Sequence, residues 1–168
     1  MLSKPIAILL LGLVLSYAQQ SSVDPSLPET LSETEKQTIL KERGPKSHVE
    51  AALKVSEARV ANALRLAQEN QYKAAALELD VFSPLVVYAD AYTRKTLSHQ
   101  TKDRNNCLKR IEQTIFKQTR NLEAVLRDLP VESREVIEPQ ISEVKKVRLR
   151  AINDLLGSGQ VINSSNEL

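Results

Sequence analysis

The apolar residues between positions 108 and 129 recur at alternating steps of three and four. The series carries a single polar member: Leu108, Ile111, Ile115, Gln118, Leu122, Val125 and Leu129. This spacing places every member on one face of a helix and is typical of a seam that packs against other helices. It predicts a long helix that ends before Pro130 and carries one continuous apolar face.

The remaining periodic segments also have helical spacing. They predict a second helix over 47–69, a third over 72–98 and a last helix over 132–156. No stretch alternates between apolar and polar residues for long enough to form a strand. The expected fold is therefore all-α: an antiparallel helical bundle of about four long helices, preceded by a short N-terminal helix.

Two serines are each followed three residues later by a glutamate, which is the pattern of a capping box: Ser32 with Glu35, and Ser47 with Glu50. The first predicts the start of the short helix, and the second predicts the start of the next one. Gly44 is expected to end the short helix in the left-handed conformation, and Pro45 cannot continue it.

Three segments leave alternatives open. Pro84 interrupts the third helix, which is therefore either kinked or divided into two helices near Ser83, a residue able to cap the second of them. Pro139 either kinks the last helix or marks its true start. Residues 98–106 are wholly polar and predict either a loop or an exposed helical bridge.

The first eighteen residues have the parts of a secretory signal peptide. Lys4 supplies a positive charge, and the ten apolar residues 6–15 are too few to cross a bilayer core about 30 Å thick as a helix. Ser16 and Ala18 place small side chains at the positions that precede a cleavage site. We expect cleavage after Ala18 and export to the periplasm or the extracellular space. An uncleaved anchor is the alternative.

The expected domain plan has four parts: a signal peptide (1–18), a flexible lead-in (19–31), one helical-bundle domain (32–157) and a disordered tail (158–168). Gly157 and Gly159 are expected to end the last helix before that tail. Without Lys4 the chain is close to neutral, so nothing draws it toward nucleic acid or an anionic membrane. We expect no nucleic-acid partner, and no membrane contact after cleavage.

The sequence lacks the residue sets that common enzymes and metal sites require. His48 and His99 are the only histidines, and neither completes a Glu-x-x-His motif, so no di-iron site, other metal site or bound cofactor is expected. Cys107 lies eight residues after His99, too far along a helix for a catalytic pair. We expect no enzyme activity, and Cys107 is either a buried apolar side chain or a cross-link between chains.

The segment LDVFSPLVVYADAY, residues 79–92, concentrates the aromatic residues. Its apolar and aromatic side chains share one helical face: Val81, Phe82, Leu85, Tyr88, Ala89 and Tyr92. Asp80 and Asp90 lie on the other side, where both are expected to reach water. The pattern is that of a core helix bent at Pro84.

A candidate pocket follows from the polar end of that face. Buried tyrosine hydroxyls need hydrogen-bond partners. The candidate residues are Tyr72, Tyr88, Tyr92 and His99. Elsewhere, Arg148 lies close to the apolar stripe of the last helix, and we expect an ion pair between Arg148 and an acid on a neighbouring helix.

Two short segments resemble known families. Asn70-x-Tyr72-x-x-Ala75-x-x-x-Leu79 resembles the turn and second helix of a tetratricopeptide repeat, with asparagine in place of the usual glycine and no second copy. This resemblance implies a helical hairpin. Leu31-Ser32-Glu33-Thr34-Glu35 is similar to the Leu-Thr-x-x-Gln segments of periplasmic envelope-stress chaperones, with serine and glutamate as replacements.

These observations favour a non-catalytic exported helical protein that acts through protein–protein contacts. The Leu108–Leu129 seam is the expected surface for a protein partner or for self-association. Two alternatives remain: a periplasmic chaperone-like protein, and a helical bundle that holds a small apolar or metal ligand between its helices.

Overall fold

The computed structural model describes residues 25–164, and it describes side chains as far as residue 157. The described chain forms five helices and no strand: α1 (Glu33–Leu40), α2 (Pro45–Gln68), α3 (Tyr72–Thr96), α4 (Thr101–Asp128) and α5 (Val131–Ser164). The prediction of an all-α fold is confirmed. The predicted signal peptide, the first part of the lead-in and the last four residues lie outside the described residues.

The first predicted capping box is present. The Ser32 hydroxyl accepts a hydrogen bond from the backbone N–H of Glu35, and the Glu35 carboxylate accepts one from the backbone N–H of Ser32. These two bonds satisfy donors that the first turn of a helix leaves free. The helix ends at Leu40, three residues earlier than the glycine signal indicated.

The second predicted capping box is wrong. Helix α2 begins at Pro45, with Gly44 as its N-cap at φ −88°, so Gly44 does not adopt the left-handed conformation. The Ser47 hydroxyl instead donates to the backbone carbonyl of Gly44. Proline fits the first helical position because its missing N–H would have no partner there. The proline signal therefore outweighed the serine signal.

A tight turn joins α2 to α3 at the predicted place. Asn70 has φ 59°, a left-handed conformation that asparagine tolerates better than most residues. The backbone N–H of Gln71 donates to the carbonyl of Leu66 across the turn at 2.8 Å. Helices α2 and α3 form an extensively packed helical hairpin.

Both prolines lie inside unbroken helices. Helix α3 continues through Pro84, and α5 continues through Pro139. Ser83 does not cap a new helix; its hydroxyl donates to the backbone carbonyl of Gln140 in α5 at 2.9 Å. Helix α5 also passes Gly157, so the prediction that this glycine ends the last helix is wrong. A glycine inside a helix lowers its stability but does not by itself end it.

The polar segment 98–106 is divided between a connection and a helix. Helix α3 ends at Thr96, and α4 starts at Thr101 with Gln100 as its N-cap residue. The second half of the segment is therefore the exposed first turn and a half of α4. Helix α4 ends at Asp128, directly before the short connection through Pro130, as its sequence predicts.

Side-chain pairs define the directions of the packed helices. Tyr88 of α3 meets His48 of α2, and Glu112 of α4 meets Arg148 of α5, so each hairpin is antiparallel. Across the two hairpins the order differs: Ser83 meets Gln140, whereas Arg94, further along α3, meets Asp154, further along α5.

Helices α3 and α5 are therefore parallel neighbours. Helices α2 and α4 are therefore parallel too, because α2 runs antiparallel to α3 and α4 runs antiparallel to α5. Glu57 of α2 meets Thr114 of α4. Among the described helices, α2 packs on α3 and α4, and α5 packs on α3 and α4. The two hairpins thus lie side by side, and the predicted antiparallel arrangement holds within each hairpin only.

The core fills the space between these four helices. Every apolar member of the 108–129 seam is buried inside the bundle: Leu108, Ile111, Ile115, Leu122, Val125 and Leu129. Cys107 is buried beside them as a free thiol. The seam therefore faces the chain's own helices and offers no outer surface. Over the described residues, no helix combines the length and the apolar character needed to span a bilayer.

Candidate functional site

The four residues of the candidate pocket do not converge. Tyr72 lies at the start of α3, where its hydroxyl donates to the side chain of Asn70 at 2.6 Å. His99 is exposed in the connection between α3 and α4. Only Tyr88 and Tyr92 lie together, with ring centroids 5.8 Å apart.

His48 completes the polar aromatic cluster in place of His99. Its Nε2 and the Tyr88 hydroxyl form a buried hydrogen bond of 2.6 Å. The ring of Tyr92 stacks on the imidazole at 4.5 Å, with an angle of 18° between the planes. Leu31, Ile39 and Leu85 surround these rings in a second core cluster. The Tyr88 hydroxyl therefore ends in packed protein.

The apolar surroundings of this cluster favour its neutral forms. Burial lowers the pKa of His48 below its usual value, while the backbone carbonyl and the charge of Glu42 oppose this shift. Burial also raises the pKa of Tyr88 to about 12, with a smaller effect from Tyr92. In their neutral forms the two side chains can share a hydrogen bond without burying a charge.

The larger clefts lie away from the aromatic cluster. An open cleft of about 530 Å³ between α1 and α2 is lined mainly by charged and small side chains, among them Lys41, Glu50 and Lys54. Tyr88 touches only a shallow surface cleft formed with residues 25–29 and Pro84. Apolar ligand sites in proteins are enclosed, and these clefts are open to solvent.

A charged network joins α3 to α5 and includes a buried acid that the sequence placed on the solvent side. The Asp90 side chain is 5% exposed and pairs with Arg94 at 2.9 Å and Arg150 at 3.4 Å. Arg94 also binds Asp154 at 2.5 Å. The expectation that Asp90 reaches water is wrong, because α5 covers that side of α3.

A second network holds α1 against the bundle. Arg59 of α2 donates to both oxygens of the Glu35 carboxylate and also to Glu78 of α3, at 2.8 Å. Burial alone raises the pKa of Glu35, but hydrogen bonds from Arg59 and from Ser32 outweigh it and lower the pKa. The Glu35 carboxylate thus caps α1 and binds it to Arg59 of α2, and Arg59 in turn binds Glu78 of α3.

The ion pair expected of Arg148 is present. Its Nε donates to Glu112 of α4 at 3.0 Å, and the guanidinium carbon lies 4.8 Å from the centroid of the Phe116 ring. A planar guanidinium satisfies both contacts at once. Arg148 therefore joins α5 to α4 and covers one side of the exposed Phe116 ring.

Exposed apolar side chains concentrate on that hairpin. Of the seven large apolar side chains that are exposed in the described part of the chain, five belong to α4 or α5: Phe116, Val131, Val136, Leu149 and Leu156. The other two, Leu40 and Leu77, lie on α1 and α3. Four of the five lie on α5, where Val131, Leu149 and Leu156 share one face and Val136 lies about 140° away from Val131.

The described residues contain no group of three or more His, Cys, Asp or Glu side chains placed to hold a metal ion. Burial raises the pKa of the Cys107 thiol, and the charge of Glu50 adds to the effect. A buried thiol of raised pKa is a poor nucleophile.

Comparison with known protein families, with curated proteins and with solved structures found no match for this chain. A proposal for the function of this chain therefore rests on its own residues and contacts.

The sequence did not lead us to place His48 in the aromatic cluster or Asp90 in a buried ion pair. The two contacts differ in how visible they are in the sequence. Tyr88 follows His48 by forty positions, so no local pattern joins them. Asp90 and Arg94, in contrast, have the four-residue spacing of a helical ion pair, which is visible in the sequence. That spacing could have identified Asp90 as a paired acid.

Proposed function

We propose that this chain is an exported, non-catalytic helical protein that acts through protein contacts made by the outer side of its α4–α5 hairpin. The observation that carries the proposal is the concentration of exposed apolar side chains on that hairpin, where the Arg148 guanidinium lies against the Phe116 ring. Aromatic and arginine side chains are enriched where proteins bind one another.

The interior supports the same proposal. The four long helices bury a large apolar core, and a second cluster lies beside it. Buried polar side chains bond to backbone carbonyls, as Ser56 and Thr93 do, or to each other, as His48 does to Tyr88. A bundle that binds a small ligand needs a lined cavity between its helices. The small pocket between α4 and α5, lined by Ile115, Leu122 and Val144, has a volume of about 20 Å³, roughly that of one water molecule.

Capture of a partner tests the contact surface. We expect the tagged exported chain to retain a partner protein from its own exported fraction in near-stoichiometric amount. Phe116→Ala removes the central aromatic contact and should reduce retention about tenfold, the usual cost of losing an interface anchor. Leu77→Ala is the matched control, since Leu77 is equally exposed but lies on α3. Equal retention by Phe116→Ala and wild type would contradict the proposed surface.

Mass spectrometry of the exported protein tests the compartment. Cleavage after Ala18 should leave a chain that begins at Gln19. A chain that retains residue 1 and stays inside the cell would contradict export.

A further inference from the structure

The outward face of α5 carries six residues whose spacing is symmetric about the middle of the set. Six exposed residues follow one another at steps of 4, 3, 4, 3 and 4: Val131, Glu135, Glu138, Ser142, Lys145 and Leu149. At 100° per residue, all six point within about 40° of the direction of Val131. The buried residues of α5, such as Val144 and Val147, point the opposite way into the core.

The charges of this face are separated along the helix. Glu135 and Glu138 lie in the first half, and Lys145 lies in the second half, while the ends are the apolar Val131 and Leu149, 61% and 60% exposed. The side chains of the four polar members take part in no hydrogen bond or ion pair within the described chain. Asn153 and Leu156, also exposed, continue the same face toward the end of α5.

A second copy of the same helix, laid antiparallel, supplies a partner for these side chains. Because the spacing is symmetric, a two-fold axis midway between residues 138 and 142 maps the six positions of one helix onto the six positions of the other. Val131 then meets Leu149, Glu135 meets Lys145, and Glu138 meets Ser142, and the symmetry repeats each contact. A parallel pairing would instead place Glu135 against Glu135 and Lys145 against Lys145, so charge selects the antiparallel arrangement.

We propose that two copies of this chain associate through the outward faces of their α5 helices, antiparallel, with Glu135 of each copy paired to Lys145 of the other. The inference rests on the proposed function, since it names one partner of the α4–α5 hairpin. The contact spans about 27 Å of helix from Val131 to Leu149. Ser142 near the axis is small enough to let the backbones approach closely and can donate its hydroxyl to Glu138.

The expected association is weak and reversible. A single pair of helices buries less surface than the standard interface, so we expect a dissociation constant on the order of 10 µM. Sedimentation equilibrium of the full mature chain over about 1 to 500 µM measures it. A strict monomer over this range overturns the proposal.

Charge exchange tests the register. Glu135→Lys places two lysines opposite each other at both ends of the contact, and Lys145→Glu does the same with two glutamates. Each single variant should weaken the dimer about tenfold, and the double variant Glu135→Lys/Lys145→Glu should restore it. Lys54→Glu is the matched control, because Lys54 is exposed on α2, which does not pack on α5.

A dimer that all these variants leave unchanged overturns the antiparallel register. A dimer that the double variant fails to restore, although circular dichroism shows it folded, overturns the Glu135–Lys145 pairing. Neither result affects capture of another protein by Phe116, so failure of the dimer and failure of the proposed function are separate outcomes.

Discussion

One histidine of the chain is buried and the other is exposed, so the exposed one is a control for the buried one. His48 is buried against Tyr88 and Tyr92, while His99 is exposed. Burial lowers the pKa of His48 in the folded state below the value of 6.5 that it has in the unfolded chain. The unfolded state therefore binds more protons as the pH falls below 6.5, and folding loses stability over that interval.

We expect the free energy of unfolding to fall between pH 7.5 and pH 5, and His48→Gln to reduce this fall. Gln has no charge to gain, so the contribution of residue 48 to the pH dependence disappears. Urea midpoints at several pH values measure the effect. His99→Gln should leave the dependence as in wild type. If His48→Gln kept the pH dependence of the wild-type protein, burial of His48 would not be the cause of that dependence.

Asp90 is a buried acid between two arginines, and its removal leaves them without their shared partner. We expect Asp90→Asn to destabilise the protein by about 2 kcal/mol, less than for a fully buried pair because Arg94 and Arg150 are partly solvated. Asp103→Asn, at an exposed acid in the first turn of α4, should cost about 0.5 kcal/mol or less. Urea unfolding measures both, and equal effects would count against the buried network.

At the scale of elements, the position of a motif relative to the start of a helix decides whether the motif caps that helix. The same serine–glutamate pattern occurs before α1 and within α2, yet only the first is a capping box. Ser32 has free backbone donors ahead of it, whereas Ser47 already lies inside a helix that Pro45 began. A local motif acts only where the chain actually starts to turn.

We expect Ser32→Ala to destabilise α1 by about 1 kcal/mol, and Ser47→Ala to change α2 by a few tenths at most. The first substitution removes a capping acceptor, while the second removes only a bond to the Gly44 carbonyl. Hydrogen exchange of the amides of each helix measures the difference. Equal effects of the two substitutions would mean that Ser47 caps a helix after all.

At the scale of the whole molecule, the two helical hairpins pack side by side, with α3 parallel to α5 and α2 parallel to α4. Cys107 belongs to the core cluster that the four long helices share and is 2% exposed. Solvent reaches its thiol only when the helices separate. The reaction rate of this thiol therefore reports the opening of the bundle as a whole.

We expect the Cys107 thiol of the folded protein to resist alkylating reagents and to react only through the unfolded fraction of the molecules. Raising the urea concentration should speed the reaction in proportion to the unfolded fraction. Protein held in strongly denaturing urea gives the rate of the fully accessible thiol as a reference. Rapid alkylation in buffer alone would show that the core around Cys107 opens without unfolding.

The sequence by itself determined the elements. Apolar spacing, few glycines and the prolines at 45 and 130 decide where helices form, because hydrogen bonds within a helix are local. The ion pair of Arg148 was also foreseeable, since a charged side chain near an apolar stripe needs a partner. Such inferences depend on residues a few positions apart.

Only the tertiary structure decided which faces meet. The seam at 108–129 was expected to be a surface for a partner or for self-association, and packing of the hairpins buries its apolar members in the core. The same packing joined His48 to Tyr88 across forty residues and covered Asp90 with α5. Contacts between distant residues depend on how two hairpins dock, and many dockings bury similar apolar area, so local spacing does not select among them.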